Sequence, residues 1–357
     1  MATPRDDIHS YSLTSDDSQQ TINAALNILR PHIPVSLPLY RRLQFGRFFD
    51  ATALLTNLNL DGQPNSAPNG TPNRITGKQE HNPQNDPWLL AFVDRSCRPE
   101  TEVWLSASWD SQPSPPMPDQ EPAIDALMTS LLQTLASLLI PPSIHAPAEA
   151  PANGTKDSVG LTHSDYATHA SDPRIMLWGA IHAYTVPVLT RLGHLPRRFE
   201  TSVMPNHCFI FDVPTLPAYE KRSLTPGLRW GKLGRQHFPL VRSRTQIPRQ
   251  DRTLAVLPNL AIFEGDVPVA WAFIGLDASL STLHVEEPYR GQGLAKALTT
   301  KLFREEMGRF WKDGGENLAH GYVIDGNKQS EGMCRSLGGK SGWWVYWLRV
   351  ELGEGQS

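Results

Sequence analysis

The stretch from Leu280 to Leu302 constrains this chain more than any other. An apolar run, Leu280-Ser281-Thr282-Leu283-His284-Val285, leads into Glu286-Glu287-Pro288-Tyr289-Arg290-Gly291-Gln292-Gly293. Beyond it the apolar period changes. Leu294, Leu298 and Leu302 fall four apart, and Phe303, Met307 and Phe310 extend the same face. The spacing predicts a strand, a tight glycine turn and a long amphipathic helix. Such a turn gathers free backbone N–H groups and the positive end of the helix dipole at one point. That combination is a phosphate-binding nest. Glycine at 291 and 293 lets the backbone approach an anion where a side chain would stand in the way. The turn lacks the Gly-Lys-Ser/Thr ending of a nucleotide loop and the three-glycine spacing of a dinucleotide fingerprint.

Before this stretch lie two short apolar runs around Gly265-Asp266, namely Asn259 to Glu264 and Val267 to Ile274, which read as a hairpin. Ser279 to Val285 can pair beside it. After the helix come a strand at Ala319–Ile324, a helix ending at Leu337-Gly338, and a closing strand at Trp343–Val350. Leu228 to Leu233 opens this region as a further strand.

The region 219–357 resembles the GCN5-related N-acetyltransferase (GNAT) superfamily throughout. Arg290, Gly293 and Ala295 match its Gln/Arg-x-x-Gly-x-Gly/Ala loop. Asn327, Ser330, Met333 and Leu337-Gly338 resemble its Asn-x-x-Ala/Ser…Leu-Gly-Phe segment. By pattern the chain is most similar to the glycine N-acyltransferase-like (FR47-like) branch. The resemblance implies an α/β (α+β) fold with a mixed, mostly antiparallel sheet flanked by helices. It also implies a degenerate GNAT-like copy in residues 1–218 ahead of a catalytic domain at 219–357, although no motif anchors that copy.

The implied reaction is direct attack of an amine on a thioester. Acetyl-CoA or another acyl-CoA is the cosubstrate, and the acceptor is a small-molecule amine or amino acid. Acylation of protein lysines or N-termini is the same chemistry on another acceptor, and a catalytically silent acyl-CoA-binding or scaffold protein is the reading of a different class. The resemblance puts the pyrophosphate on the amides of Arg290, Gly291, Gln292, Gly293, Leu294 and Ala295. Backbone contacts to the pantetheine arm fall at Leu283 and Val285, either of which could supply the oxyanion-stabilising amide, and Asn327 faces the arm.

Three positions depart from the family pattern. Ser279 stands where many members carry a Glu or His base, Cys334 where a Tyr often serves as thiolate acid, and Gly339 where Phe is usual. The base is left open among Asp277, His284, Glu264 and a water chain. Cys334 could donate a proton, its unperturbed pKa being roughly 8.5, or it is a small buried residue.

In the first half, Thr21 to Leu29 predicts a helix, Leu37–Phe49 a second, and Ala51–Leu60 a strand or short helix. Trp88–Asp94 and Val103–Trp109 are candidate strands. Ile124, Leu127, Met128, Leu131, Leu132, Leu135, Leu138 and Leu139 form an apolar helical stripe, read as core packing because its polar face lacks Lys and Arg. Met176–Leu192 has helical spacing with a bend at Pro187, and Phe209–Val213 is a strand. Residues 1–20 are polar and read as loose. Segments 61–87 and 141–172, poor in apolar residues, read as disordered insertions.

Composition narrows the partners. With 357 residues the length prior is two domains. A net charge of −3 argues against nucleic-acid binding, and the basic run Arg242–Arg252 reads as a solvated loop. Cys97, Cys208 and Cys334 are odd in number and without metal-ligand spacing. His207-Cys208 with His320 adds none, so no metal is expected. The cysteines and a polar N-terminus lead to the expectation of an intracellular, cytoplasmic protein. No apolar run reaches the roughly 18 residues of a membrane span. Trp343, Trp344, Tyr346 and Trp347 read as core and edge cover, with an acceptor pocket as the alternative.

Overall fold

The computed structural model describes residues 8–49, 51–61, 86–98, 100–141, 161–221, 223–245, 249–311 and 317–353. The first half runs β1 (His9–Ser12), α1 (Ser18–Leu29), α2 (Leu37–Phe45), β2 (Thr52–Thr56), β3 (Leu89–Asp94), β4 (Val103–Ala107), α3 (Glu121–Ser137), α4 (His163–Ser171), β5 (Ile175–His182), α5 (Val186–Arg191) and β6 (Asn206–Asp212). The second half runs β7 (Leu228–Gly231), α6 (Phe238–Arg244), α7 (Asp251–Leu254), β8 (Asn259–Glu264), β9 (Val267–Ile274), β10 (Ser279–Val285), α8 (Leu294–Glu306), β11 (Leu318–Ile324), α9 (Lys328–Ser336) and β12 (Lys340–Glu351). No helix among the described residues is long and apolar enough to cross a membrane.

The twelve strands of the described residues form one sheet in the order β1-β2-β3-β4-β5-β12-β6-β11-β10-β9-β8-β7. Each half contributes an antiparallel meander, a long helix and a strand that returns parallel to the meander's last one, β4 with β5 and β10 with β11. The halves then exchange strands. β6 lies between β11 and β12, pairing along its whole length with β11 from Asn206↔Ile324 to Asp212↔Leu318. β12 pairs with β6 over Lys340–Val345 and with β5 over Val345–Glu351. Its twelve residues are long enough to serve both neighbours in turn.

The cores follow the periodicity. Leu294, Leu298, Leu302 and Phe303 of α8 pack on Ala270, Ala272 and Ile274 of β9. Leu127, Met128, Leu131 and Leu135 of α3 pack on Leu89, Ala91 and Val93 of β3, so the stripe is core as far as Leu135, whereas α3 ends at Ser137 and Leu139 is exposed. Between the halves, buried Arg41 of α2 donates to the Phe310 and Leu318 carbonyls at 3.1 and 3.0 Å.

Three sequence expectations need correction. Met176–Leu192 is not one helix: its first part is β5, buried along almost all its length, followed by the short α5 with a proline in its first turn. A continuous apolar run carries no period that separates a doubly buried strand from a helix. Residues 1–20 are not all loose, since β1 pairs with β2 and α1 starts at Ser18. Within 141–172, residues 163–171 form α4, because Thr162 and Asp165 make a capping box whose Thr162 N–H donates to Asp165 at 2.7 Å. The rest of that segment at 142–160, and residues 62–85 of the other, lie outside the described residues.

Candidate functional site

The site begins with an irregularity in β10. Its ladder to β9 is regular at Leu280↔Ile274 and Ser281↔Phe273, then resumes at His284↔Trp271 with one extra residue on the β10 side. Thr282 takes φ +51° there, a left-handed conformation that costs a β-branched residue about 1–2 kcal/mol. A bulge bends its strand. Accordingly β10 pairs with β11 at Ser279↔His320 and Leu280↔Gly321 and then parts from it. A cavity of about 560 Å³ occupies the opening, with Thr282 and Leu283 on one wall and Val323 and Ile324 on the other. Asn327, Met333 and Cys334 border it from the α9 side.

The turn after β10 has the expected form. Gly291 and Gly293 adopt φ +77° and +80°, and a Cβ built on either would meet nothing within 4 Å. The first backbone bond of α8 runs from the Ala297 N–H to the Gly293 carbonyl. The amides of Leu294, Ala295 and Lys296 therefore precede any helical acceptor, and no side chain caps the helix. Leu294 is buried and fixes the turn to the core. Exposed Arg290 donates through Nε to the Val285 carbonyl at 3.0 Å. The Gln292 side chain accepts from the Thr225 hydroxyl at 3.2 Å. An anionic group with two adjacent phosphates fits this open cradle.

The four candidate proton-transfer residues separate. Asp277 lines the cavity and is buried. It accepts from the Ser279 hydroxyl at 2.6 Å and from the Tyr322 hydroxyl at 2.8 Å, with His320 Nε2 3.6 Å away. Burial pushes this carboxyl up, but His320, Ser279 and Tyr322 outweigh it and hold it at about 2. It is a fixed negative charge and a poor base. His284 stacks on Trp271 at 4.7 Å and is not among the cavity residues, with burial lowering its pKa. Glu264 is exposed and accepts from Tyr289 at 2.7 Å, also outside the cavity. Cys334 lines the cavity, and burial pushes its thiol up to about 12. Of the cofactor candidates, Leu283 and Asn327 reach the cavity; Asn327 also caps α9, accepting from the Ser330 N–H at 3.1 Å. Val285 does not line the cavity and packs into the α8 core.

Several contributors were not read from the sequence. Tyr322 and Arg249 enter the cavity, and so do Trp104, Leu177 and Met204 of the first half. Of the aromatic block, Trp347 lines the cavity, whereas Trp344 packs at a tilt against His207, with ring centroids 3.6 Å apart. The run Arg242–Arg252 is not wholly a solvated loop, because Arg244 and Arg249 line the cavity too. His207, Asp325 and Glu331 bring ligand-type atoms within 4.8 Å of one another, a grouping that sequence spacing conceals, with Arg335 3.7 Å from Glu331.

Asp277 makes a stability prediction. The folded state holds its carboxyl at about 2 against 3.8 ordinarily, so its contribution is complete above about 3.8 and is lost as pH falls through about 2. The difference is worth roughly 2–3 kcal/mol. Urea unfolding of Asp277→Asn is expected to show that loss at pH 7, with the gap to wild type closing between pH 4 and 2. A gap that stays constant down to pH 2 would contradict the assignment.

A family model described as the acyl-CoA N-acyltransferase verG N-terminal domain matches residues 7–218. Among curated proteins none matches the sequence. Among solved structures, a Drosophila protein superimposes with TM-score 0.56 at 12% identity, covering 98% of this chain and 99% of that one, which shows a shared fold. A GCN5-related N-acetyltransferase from Sphaerobacter thermophilus gives TM-score 0.48 at 12% identity over 99% of this chain and 97% of that one. A tandem GNAT protein from the clavulanic acid biosynthesis pathway gives 0.47 at 10% over 97% and 99%.

Proposed function

Because the chain belongs to the acyl-CoA N-acyltransferase family of the verG N-terminal domain, within the GNAT superfamily, we propose that it moves an acyl group, acetyl first among them, from acyl-CoA to the primary amine of a small molecule or amino acid. One observation carries this reading. The parting of β10 from β11 lies directly ahead of the uncapped, glycine-lined start of α8, so a thioester in the opening could keep its diphosphate on the helix amides.

The bulge leaves Thr282 and Leu283 without register partners in β9. We assign the Leu283 N–H, in this irregular stretch beside the cavity, as the donor to an oxyanion formed there. The amine nitrogen attacks the thioester carbon, the C–N bond forms, the C–S bond breaks, and the proton lost by nitrogen reaches the thiolate. Asp277 attracts the amine as an ammonium but is held too acidic to take a proton, so the ammonium gives one proton to water before its lone pair attacks, and the second proton is the one that reaches the thiolate. Cys334, pushed up to about 12, is a weaker acid than an ordinary thiol at roughly 8.5. Water entering the cavity is left as the proton carrier.

His284 and Glu264 lie outside the cavity, and Asp277 and Cys334 within it are held far from neutrality, which favours one other reading, an acyl-CoA-binding protein without turnover. A thiol-release assay with acetyl-CoA and a panel of amines and amino acids separates them. Turnover with at least one small acceptor is expected. Calorimetric binding of acetyl-CoA with no thiol released across the panel would sink the transferase proposal.

A further inference from the structure

Two opposite charges meet the same face of one strand inside the cavity. Ser279 and Ser281 are two residues apart on β10, before the bulge, so their side chains share a face. The Ser279 hydroxyl donates to Asp277 at 2.6 Å, and the Ser281 hydroxyl accepts from Arg249 Nη2 at 3.0 Å. At about 3.4 Å per residue these anchor points are roughly 7 Å apart. An α-amino acid presents its ammonium and carboxylate on adjoining atoms. Its length with one hydrogen bond of about 2.9 Å at each end is comparable to the spacing of the two serines that hold Asp277 and Arg249.

Arg249 is the cation best placed for such a role. Three arginines line the cavity. Arg244 is paired with Glu286 at 2.9 Å, and Arg349 lies over the rings of Tyr166 and Phe199. Arg249 has no carboxylate within ion-pair distance among the described residues, and its buried Nε has no hydrogen-bond partner there. Glu100 lines the same cavity, but its two oxygens accept from the Gln250 N–H and the Thr253 hydroxyl. The cavity is also lined by Trp104, Leu177, Met204 and Trp347, a mainly apolar chamber supplied by the first half and by β12, with Thr101 and Asn206 as polar neighbours.

We propose that the acceptor is a zwitterionic α-amino acid with a bulky apolar or aromatic side chain, its ammonium drawn to Asp277, its carboxylate held by Arg249, and its side chain lodged in the chamber of the first half. This rests on the transferase reading and goes beyond it. It makes the first half, which has no glycine cradle of its own ahead of α3, the part that selects the acceptor.

The test compares phenylalanine, phenylalanine amide, phenethylamine and glycine as acceptors with acetyl-CoA, for wild type, Arg249→Gln and Arg249→Lys. Wild type is expected to favour phenylalanine over its amide and over glycine by at least tenfold in kcat/KM. Arg249→Gln is expected to raise KM for phenylalanine about 10–100-fold, as loss of a charge-assisted contact does, bringing the amino-acid-to-amide ratio near one. Arg249→Lys should restore part of that ratio, which a merely structural arginine would not do. Equal use of amino acid and amide by wild type, or a preference that survives Arg249→Gln, overturns the proposal while leaving the transferase reading intact. If no acceptor is turned over, calorimetry of phenylalanine against the protein–CoA complex reads the clamp by itself. Binding lost on Arg249→Gln supports it, and absent or unchanged binding refutes it.

Discussion

Arg290→Glu combined with Gly293→Asp lowers acyl-CoA affinity at least about 100-fold in calorimetry, equivalent to roughly 3 kcal/mol. The expectation follows from the charge sign at the start of α8. The amides of residues 294–296 have no helical acceptors and no side-chain cap, and the helix dipole adds positive potential there. An aspartate at 293 would place a carboxylate where phosphate must sit, and Arg290→Glu would reverse the charge at the rim. Gly293 has φ +80°, so a side chain there also costs about 1 kcal/mol of backbone strain. A Cβ at that position meets no neighbour within 4 Å, so the fold tolerates the change. A thermal melt lowered by a few degrees is the accompanying expectation. Unchanged CoA affinity would remove the anion site from the 290–295 turn and with it the transferase reading.

The second large effect concerns the exchanged strands. Residues 219–357 expressed alone are expected to yield no cooperatively folded protein, and co-expression with residues 1–218 to restore it. Without β6, the whole edge of β11 and the first part of β12 lose their ladder partner, leaving backbone groups unpaired beside an apolar core. Cys208, Phe209 and Phe211 would vanish from that core, and Val345, Leu348 and Val350 of β12 would be exposed. Each large apolar side chain among them contributes roughly 1.5–3 kcal/mol on burial, so the loss is as large as the whole 5–15 kcal/mol by which domains are stable. Circular dichroism and urea unfolding of the separate and co-expressed halves provide the measurement. A cooperative transition in 219–357 alone would show that the exchange is dispensable.

The parts of the site legible in the sequence are those coded by contiguous residues. Gly291 and Gly293 announce a backbone conformation that other residues avoid, and Leu294, Leu298 and Leu302 announce the helix that follows. Helix α3 was equally plain from its apolar stripe. β5 was misread because Ile175 to His182 is buried almost throughout and has no polar face to mark a period. The bulge at Thr282 carried no sequence signal, because nothing in Ser-Thr-Leu-His asks for φ +51°. It accompanies the one-residue mismatch in the ladder to β9.

Likewise, Asp277 looked like a base on account of its position in the chain. Only the convergence of Ser279, Tyr322 and His320 on its carboxylate made it a fixed charge.

Local order along the chain therefore determined the strand–turn–helix unit and the class of anion it can hold, because backbone amides, glycine φ and a helix dipole are properties of neighbouring residues. What lines the cavity opposite that unit was decided by tertiary structure. Arg249, Tyr322, Trp104 and Trp347 are separated by tens to hundreds of residues and meet only because β6 and β12 cross between the halves. Pairing over such distances depends on the summed complementarity of whole strands, and no short stretch of sequence encodes it.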